Sequence, residues 1–161
     1  MAATQNTAEP GTPFVEITRE FDAPPERVFR AYSEPELLAQ WLGPRSVTMT
    51  IDYFEVRDGG RWRYVHRDEE GAEYGFHGVF HGTPSVEEGI VQTFEYEGAA
   101  GHVALEWATF EGRDGTTFVR QRSVFQSVED RDAMVQSGME YGAQDSMERL
   151  DELLGRLAPV S

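Results

Sequence analysis

Apolar and polar positions alternate from residue 14 to residue 22, with Val15, Ile17, Arg19 and Phe21 on one side and Glu16, Thr18 and Glu20 on the other. A period of two predicts a half-buried strand. Ala23-Pro24-Pro25 stops it and opens a short helix, proline being suited to a first turn, with Val28, Phe29 and Tyr32 turned inward. Ser33-Glu34-Pro35-Glu36 starts a second short helix carrying Leu37, Leu38, Trp41 and Leu42, and Gly43-Pro44 ends it. Trp41 is expected to be a structural plug at one end of the sheet. Strand-like runs follow at 47–56, 61–67, 73–83, 89–97, 102–111 and 116–126, separated by turn sequences such as Arg57-Asp58-Gly59-Gly60 and Gly112-Arg113-Asp114-Gly115. Connections this short require antiparallel neighbours.

The period changes after Ser127. A serine N-cap and the acidic Glu129 and Asp130 begin a helical pattern, with Val135, Met139, Gly142, Ser146, Leu150, Leu153 and Leu157 on one stripe. One long helix over about 129–154 is predicted. Its C-terminal half presents leucines to a core. Its N-terminal half presents Gly138, Gly142, Ala143 and Ser146, which fill little volume. A glycine inside a helix costs about 1 kcal/mol relative to alanine, so either another backbone comes close here or a space lies beside the helix. The expected fold is α+β: a seven-stranded antiparallel sheet against a long C-terminal helix, with two short helices between strands one and two. One domain over 13–158 follows a disordered tail over 1–12.

Composition narrows the chemistry. The chain has 161 residues, a net charge of -15, 14 basic residues that are all arginine, and no cysteine. Such a surface disfavours nucleic acid and anionic membranes as partners, and no apolar run is long enough to span a bilayer. Disulfides, thiol catalysis and thiolate metal sites are excluded. With no signal peptide at the N-terminus, a cytoplasmic location is expected.

Several motifs occur together in one order. Ile17-Thr18-Arg19-Glu20-Phe21-Asp22-Ala23-Pro24, Val28-Phe29-Arg30-Ala31 and Trp41-Leu42-Gly43-Pro44 open the series. Val56-Arg57-Asp58-Gly59-Gly60-Arg61-Trp62, Gly78-Val79-Phe80 and Thr93-Phe94 continue it, and Gly138, Gly142 and Leu150 close it. Over 14–157 the chain resembles the bacterial homologues of the activator of the 90-kDa heat-shock-protein ATPase, within the START-like, pollen-allergen-like helix-grip superfamily (SRPBCC). The resemblance implies a curved sheet wrapped around the last helix with a cavity between them. It also implies tryptophan where Met139 stands, so a more flexible side chain is expected to reshape that cavity. It does not specify a function, because the superfamily hosts carriers, receptors, cyclases and co-chaperone domains.

Candidate site residues come from the aromatic alternation. Trp62, Tyr64 and His66 share one strand face, Phe76 and Phe80 the next, and Phe94 and Trp107 extend the set. With Met139, Gly142 and Ser146 opposite, these are the expected ligand-binding residues, since pockets are mostly apolar with a few placed polar groups. The same residues could equally form an ordinary aromatic core. The histidines give no metal site: His77 and His81, four apart on a strand, lie about 13 Å from one another. No nucleophile elbow or phosphate loop occurs, and no cofactor is expected. Arg19 with Glu106 or His66 is the one acid–base set the pattern offers, against the plainer reading of a structural ion pair.

The expected function is binding of a small, largely apolar organic molecule, as carrier or sensor. Two alternatives stay open, a cyclase/dehydratase- or hydrolase-type enzyme using the same cavity and a chaperone-regulating protein-binding module. A homodimer is compatible with either.

Overall fold

Eight strands make one antiparallel sheet in the computed structural model, which describes residues 3–157, the backbone alone at 139–141. In chain order they are β1 (Gln5–Thr7), β2 (Phe14–Phe21), β3 (Thr48–Phe54), β4 (Arg61–Arg67), β5 (Glu73–Val79), β6 (Ile90–Tyr96), β7 (Val103–Arg113) and β8 (Thr116–Val124). Their order across the sheet is β1-β2-β8-β7-β6-β5-β4-β3. The helices α1 (Pro25–Ser33) and α2 (Pro35–Leu38) carry the chain from β2 to the far edge at β3. Two further helices, α3 (Val128–Gln136) and α4 (Met139–Arg156), end the chain. The architecture is the expected helix-grip arrangement with one strand more than predicted.

The additional strand comes from the segment expected to be a tail. Gln5 to Thr7 pair with Thr18 to Glu16 of β2. Arg131 on α3, almost fully buried, donates from its guanidinium to the carbonyls of Glu9 (2.9 Å) and Phe14 (3.2 Å). The strand shows no apolar alternation because what holds it is backbone pairing with β2, and Arg131 fastens the connection that follows it.

The long helix is also corrected, to two helices. Ser127 caps the first as expected, accepting from the Asp130 N–H at 3.0 Å. Gly138 then stands at φ +93°, a left-handed conformation that glycine adopts without the Cβ clash other residues meet. It ends α3 in the usual glycine position and lets α4 start in a new direction. That turn explains one of the two glycines; the other, Gly142, lies within α4.

Inward residues on the strands pack against α1 and the second half of α4. Val15, Phe21, Val28, Trp41, Phe80, Val119, Leu150, Leu153 and Leu154 are among the buried residues of this core. Trp41 is completely buried, stands edge-on to Tyr32, and donates its indole N–H to the Ala31 carbonyl at 2.9 Å.

Candidate functional site

Pairing register defines which side chains share the inner face. Opposite one another across the middle of the sheet stand Val15, Ser123, Glu106 and Gln92, with Phe80 bridged to Gln92. One step along, Tyr64 stands opposite Phe76 and Trp62 opposite Gly78. Trp62 is stacked on Tyr64 (ring centroids 5.1 Å, 20° between planes) and lies 5.9 Å from Phe94, and Tyr64 in turn stacks on His66. Gly78 is required here, because a Cβ would come within 1.9 Å of the Thr93 carbonyl oxygen and 2.7 Å of the Trp62 ring. The Asp58-Gly59-Gly60 turn behaves likewise at Gly60, where a Cβ would meet the Glu55 carbonyl at 2.0 Å.

The structure brings Trp62, Tyr64, His66, Phe76, Phe80 and Phe94 to one side of the sheet, as the alternation requires. Trp107 does not join them. It sits on the odd-numbered side of β7, opposite Val91 and Arg122 on the outer face, whereas Ala104, Glu106, Ala108 and Phe110 point inward. Counting parity from Glu106, already a candidate, would have excluded it. The outer face there carries a groove of about 340 Å³ bordered by Thr7, Phe14, Glu16, Trp107, Arg122 and Val124, with Phe14 and Leu105 exposed beside it.

On the helix side, Ser146 has a structural task. Its hydroxyl accepts the Gly43 N–H at 2.8 Å, while Asp145 accepts the Arg45 N–H at 2.6 Å. Arg149 donates to the carbonyls of Gln40, Gly43 and Pro44, and Arg45 pairs with Glu152. These bonds fasten the loop after α2 to α4, and Gly43 closes over His66: a Cβ there would lie 2.9 Å from the imidazole Cε1. Among the described residues Gly142 has no close neighbour, since a Cβ added to it would meet none of their atoms within 4 Å. Met139 begins α4, and its side chain lies outside the described part of the structure.

Three titratable groups on the inner face, Glu106, His66 and Tyr64, are displaced from their ordinary behaviour. Burial pushes the Glu106 carboxyl up to about 7, and hydrogen bonds from Gln92 (3.2 Å) and Ser123 (3.3 Å) only partly offset it. Burial, with Arg149 nearby, holds the His66 imidazole down to about 4, so it is neutral at physiological pH. Desolvation, and secondarily the Glu106 charge, raises the Tyr64 phenol. The Arg19–Glu106 pairing considered from the sequence does not form: Arg19 meets Asp151 of α4 at 3.5 Å. Glu106 is thus a buried carboxyl with no cation paired to it among the described residues, able to give or take one proton near neutrality.

Two buried nitrogens on this side, Trp62 Nε1 and His66 Nε2, have no hydrogen-bond partner among the described residues. Buried polar groups are nearly always paired, and an orphan calls for an explanation. Neither these orphans nor the state of Glu106 was legible from the aromatic pattern. A polar residue at an inward parity position between two alanines is the signal that could have found Glu106.

On the outer face, by contrast, His77 is engaged by Glu95 and Glu97, and Glu97 is held by Arg63 at 2.8 Å. That cluster is an ion network on the solvent side of the sheet.

Comparison with known proteins agrees with this architecture. Solved structures with the same fold include a protein from Arthrobacter aurescens (23% identity, TM-score 0.87, 96% of this chain and 92% of that one). Another is from Rhodobacter sphaeroides (27%, TM-score 0.86, 96% and 99%), and a third from Mycobacterium smegmatis (25%, TM-score 0.80, 98% and 99%). No curated protein matches the chain. The family model described as activator of Hsp90 ATPase homolog 1-like protein matches residues 22–155. With that match over most of its length, the chain belongs to the activator of Hsp90 ATPase homolog 1-like family.

Proposed function

We propose that the protein binds a small, largely apolar organic molecule between the aromatic inner face of the sheet and the first half of α4. The observation that carries this reading is the contrast between the two halves of α4. Met147, Leu150, Leu153 and Leu154 are buried in the core, but Gly142 has no atom of the described residues within 4 Å of its Cβ position. Facing side chains follow the same gradient: Phe76, Gln92, Phe94 and Glu106 keep accessible surface although they point inward from the sheet. Flat rings and a few polar atoms are the ordinary lining of a ligand site.

Filling that space is the test. Gly142→Leu should leave the melting temperature unchanged or raise it, since leucine gains about 0.8–1 kcal/mol of helix propensity over glycine. The same change should weaken uptake of the neutral dye N-phenylnaphthylamine at least tenfold, on the order of 1.4 kcal/mol. Unaltered dye uptake by a stable variant would remove the reading.

A second reading, a module that docks on another protein, is favoured by one observation. Phe14 is 53% exposed and Leu105 43% exposed on the outer face, next to the groove at Trp107. The family's name attaches chaperone regulation to a relative, and the -15 net charge would suit a basic partner surface. Leu105→Asp should abolish such docking and leave dye uptake intact.

A further inference from the structure

Independently of the ligand-binding reading, we infer that the outer face of the sheet around Leu105 and Trp107 is the surface on which a second copy of this chain packs, related by a two-fold axis.

The pairing register carries the geometry. One row of outward positions runs Phe14–Val124–Leu105–Thr93 across β2, β8, β7 and β6. The row beside it runs Thr7–Glu16–Arg122–Trp107–Val91, from β1 to β6. Phe14 and Leu105 are two of the three large apolar side chains that stand exposed among the described residues, and they share the first row. Exposed apolar side chains gathered in one place mark an interaction surface, whereas scattered ones need no explanation. The groove of about 340 Å³ bordered by Phe14, Val124 and Trp107 lies in the same two rows. One face thus carries both a projecting leucine and a depression large enough to receive it. Knob and groove on a single patch give an isologous contact, in which Leu105 of each copy enters the groove of the other and the pair closes. Had they lain on different faces, the same contact would propagate into a filament.

Charge selects the occupant. Outward positions of β2, β7 and β8 hold three carboxylates, Glu16, Glu20 and Glu111, and three guanidiniums, Arg113, Arg120 and Arg122. Arg122 meets Glu16 at 2.8 Å, Arg120 approaches the same carboxylate at 3.8 Å, and Arg113 pairs with Glu111. Glu9 is the one further charged residue bordering the groove. The whole chain has 29 acidic and 14 basic residues, so its negative excess lies mainly away from these rows. A basic partner is drawn to that excess and not to a balanced face. Two copies, which repel one another through the rest of their surfaces, meet here with the least repulsion. A two-fold rotation also sets arginines of one copy toward carboxylates of the other. The docking reading gives this face to a foreign protein; the balance of its charges favours a copy.

Sedimentation velocity over a concentration series tests this on the native chain. A monomer–dimer equilibrium is expected that tightens severalfold as salt rises from about 0.1 M to about 1 M, since the Debye length falls from about 10 Å to about 3 Å and screens the net repulsion. Docking of a basic partner would weaken over the same range. Leu105→Asp should weaken self-association about tenfold or more, as loss of a central anchor does. Thr50→Asp adds the same charge at an exposed outward position of β3, the opposite edge of the sheet, and should associate like the native protein. The native chain supplies a second readout. Trp41 and Trp62 are sealed, so acrylamide reaches chiefly Trp107, and its quenching should fall as the dimer forms. If Leu105→Asp does not fold, that quenching decides. A native chain still monomeric at about 1 mM, the weak end of specific association, would overturn the inference. So would a dimer indifferent to Leu105→Asp, an equal loss in both variants, or unchanged Trp107 quenching on dimerisation. Capture of a polyarginine peptide by the native monomer at about 0.1 M salt, lost in Leu105→Asp, would overturn it too and give the face to a basic partner.

Discussion

Glu106 shows how a single side chain can be stabilising in one pH range and a burden in another. Its carboxyl titrates higher in the fold than in the unfolded chain, so folding opposes its ionisation. Stability from this group therefore falls as pH climbs from the usual carboxylate range to about 7, and is constant above that. Glu97 runs the other way. The hydrogen bond from Arg63 holds it down to about 2, so its contribution is present above the usual carboxylate range and is lost as the pH falls toward that value. The difference between native protein and Glu106→Gln isolates the first effect. The variant should be nearly neutral at about pH 4 and more stable than the native protein by on the order of 2–3 kcal/mol at about pH 8, in urea melts at each pH. A difference independent of pH would show that folding leaves the titration of the Glu106 carboxyl unchanged. Trp41 is a simpler case: Trp41→Ala removes a fully buried ring and the hydrogen bond to Ala31, and should cost about 3–5 kcal/mol in the same melts.

Among the elements, the two glycines near the start of α4 look alike in sequence and differ in kind. Gly138 holds a left-handed turn between two helices, and Gly142 sits in regular helix beside open space. Alanine should therefore have opposite effects in thermal melts. Gly138→Ala should destabilise by about 1–2 kcal/mol through backbone strain, and Gly142→Ala should stabilise by about 0.5–1 kcal/mol through helix propensity. The apolar stripe could not distinguish them, since a stripe records which face is buried and not whether the helix is continuous. What the stripe did convey is that leucines fill the C-terminal half of α4 and small residues its N-terminal half. The first strand was hidden for another reason. Gln5-Asn6-Thr7 carries no apolar alternation and is held by β2, while Arg131 bonds the connection between the two strands at Glu9 and Phe14. Arg131→Ala should remove the guanidinium from both carbonyls, leaving Glu9 only its bonds from Thr12, and limited proteolysis should then cut within residues 3–12 faster than in the native protein.

At the scale of the whole molecule, the order of strands, short helices and closing helix could be read because alternation and turn residues are local signals. The inner aromatic wall could be read for the same reason, on β4, β5 and β6. Trp107 was misplaced, since it was grouped by ring type and not by its position relative to Glu106. The polar tasks of Ser146 and Arg149 were out of reach, because their partners in the loop at 40–45 lie about a hundred residues away. On the reading proposed for this fold, the inner face, and not the outer groove, receives a small organic molecule. The chain's three tryptophans report on it separately: Trp62 lines the inner face, Trp107 borders the outer groove, and Trp41 is sealed in the core. Their indole N–H signals can be followed by heteronuclear NMR while N-phenylnaphthylamine is added to nitrogen-labelled protein. The Trp62 signal should move as the inner face is occupied, with Trp107 and Trp41 unmoved. A shift confined to Trp107 would place the ligand on the outer face and contradict that reading.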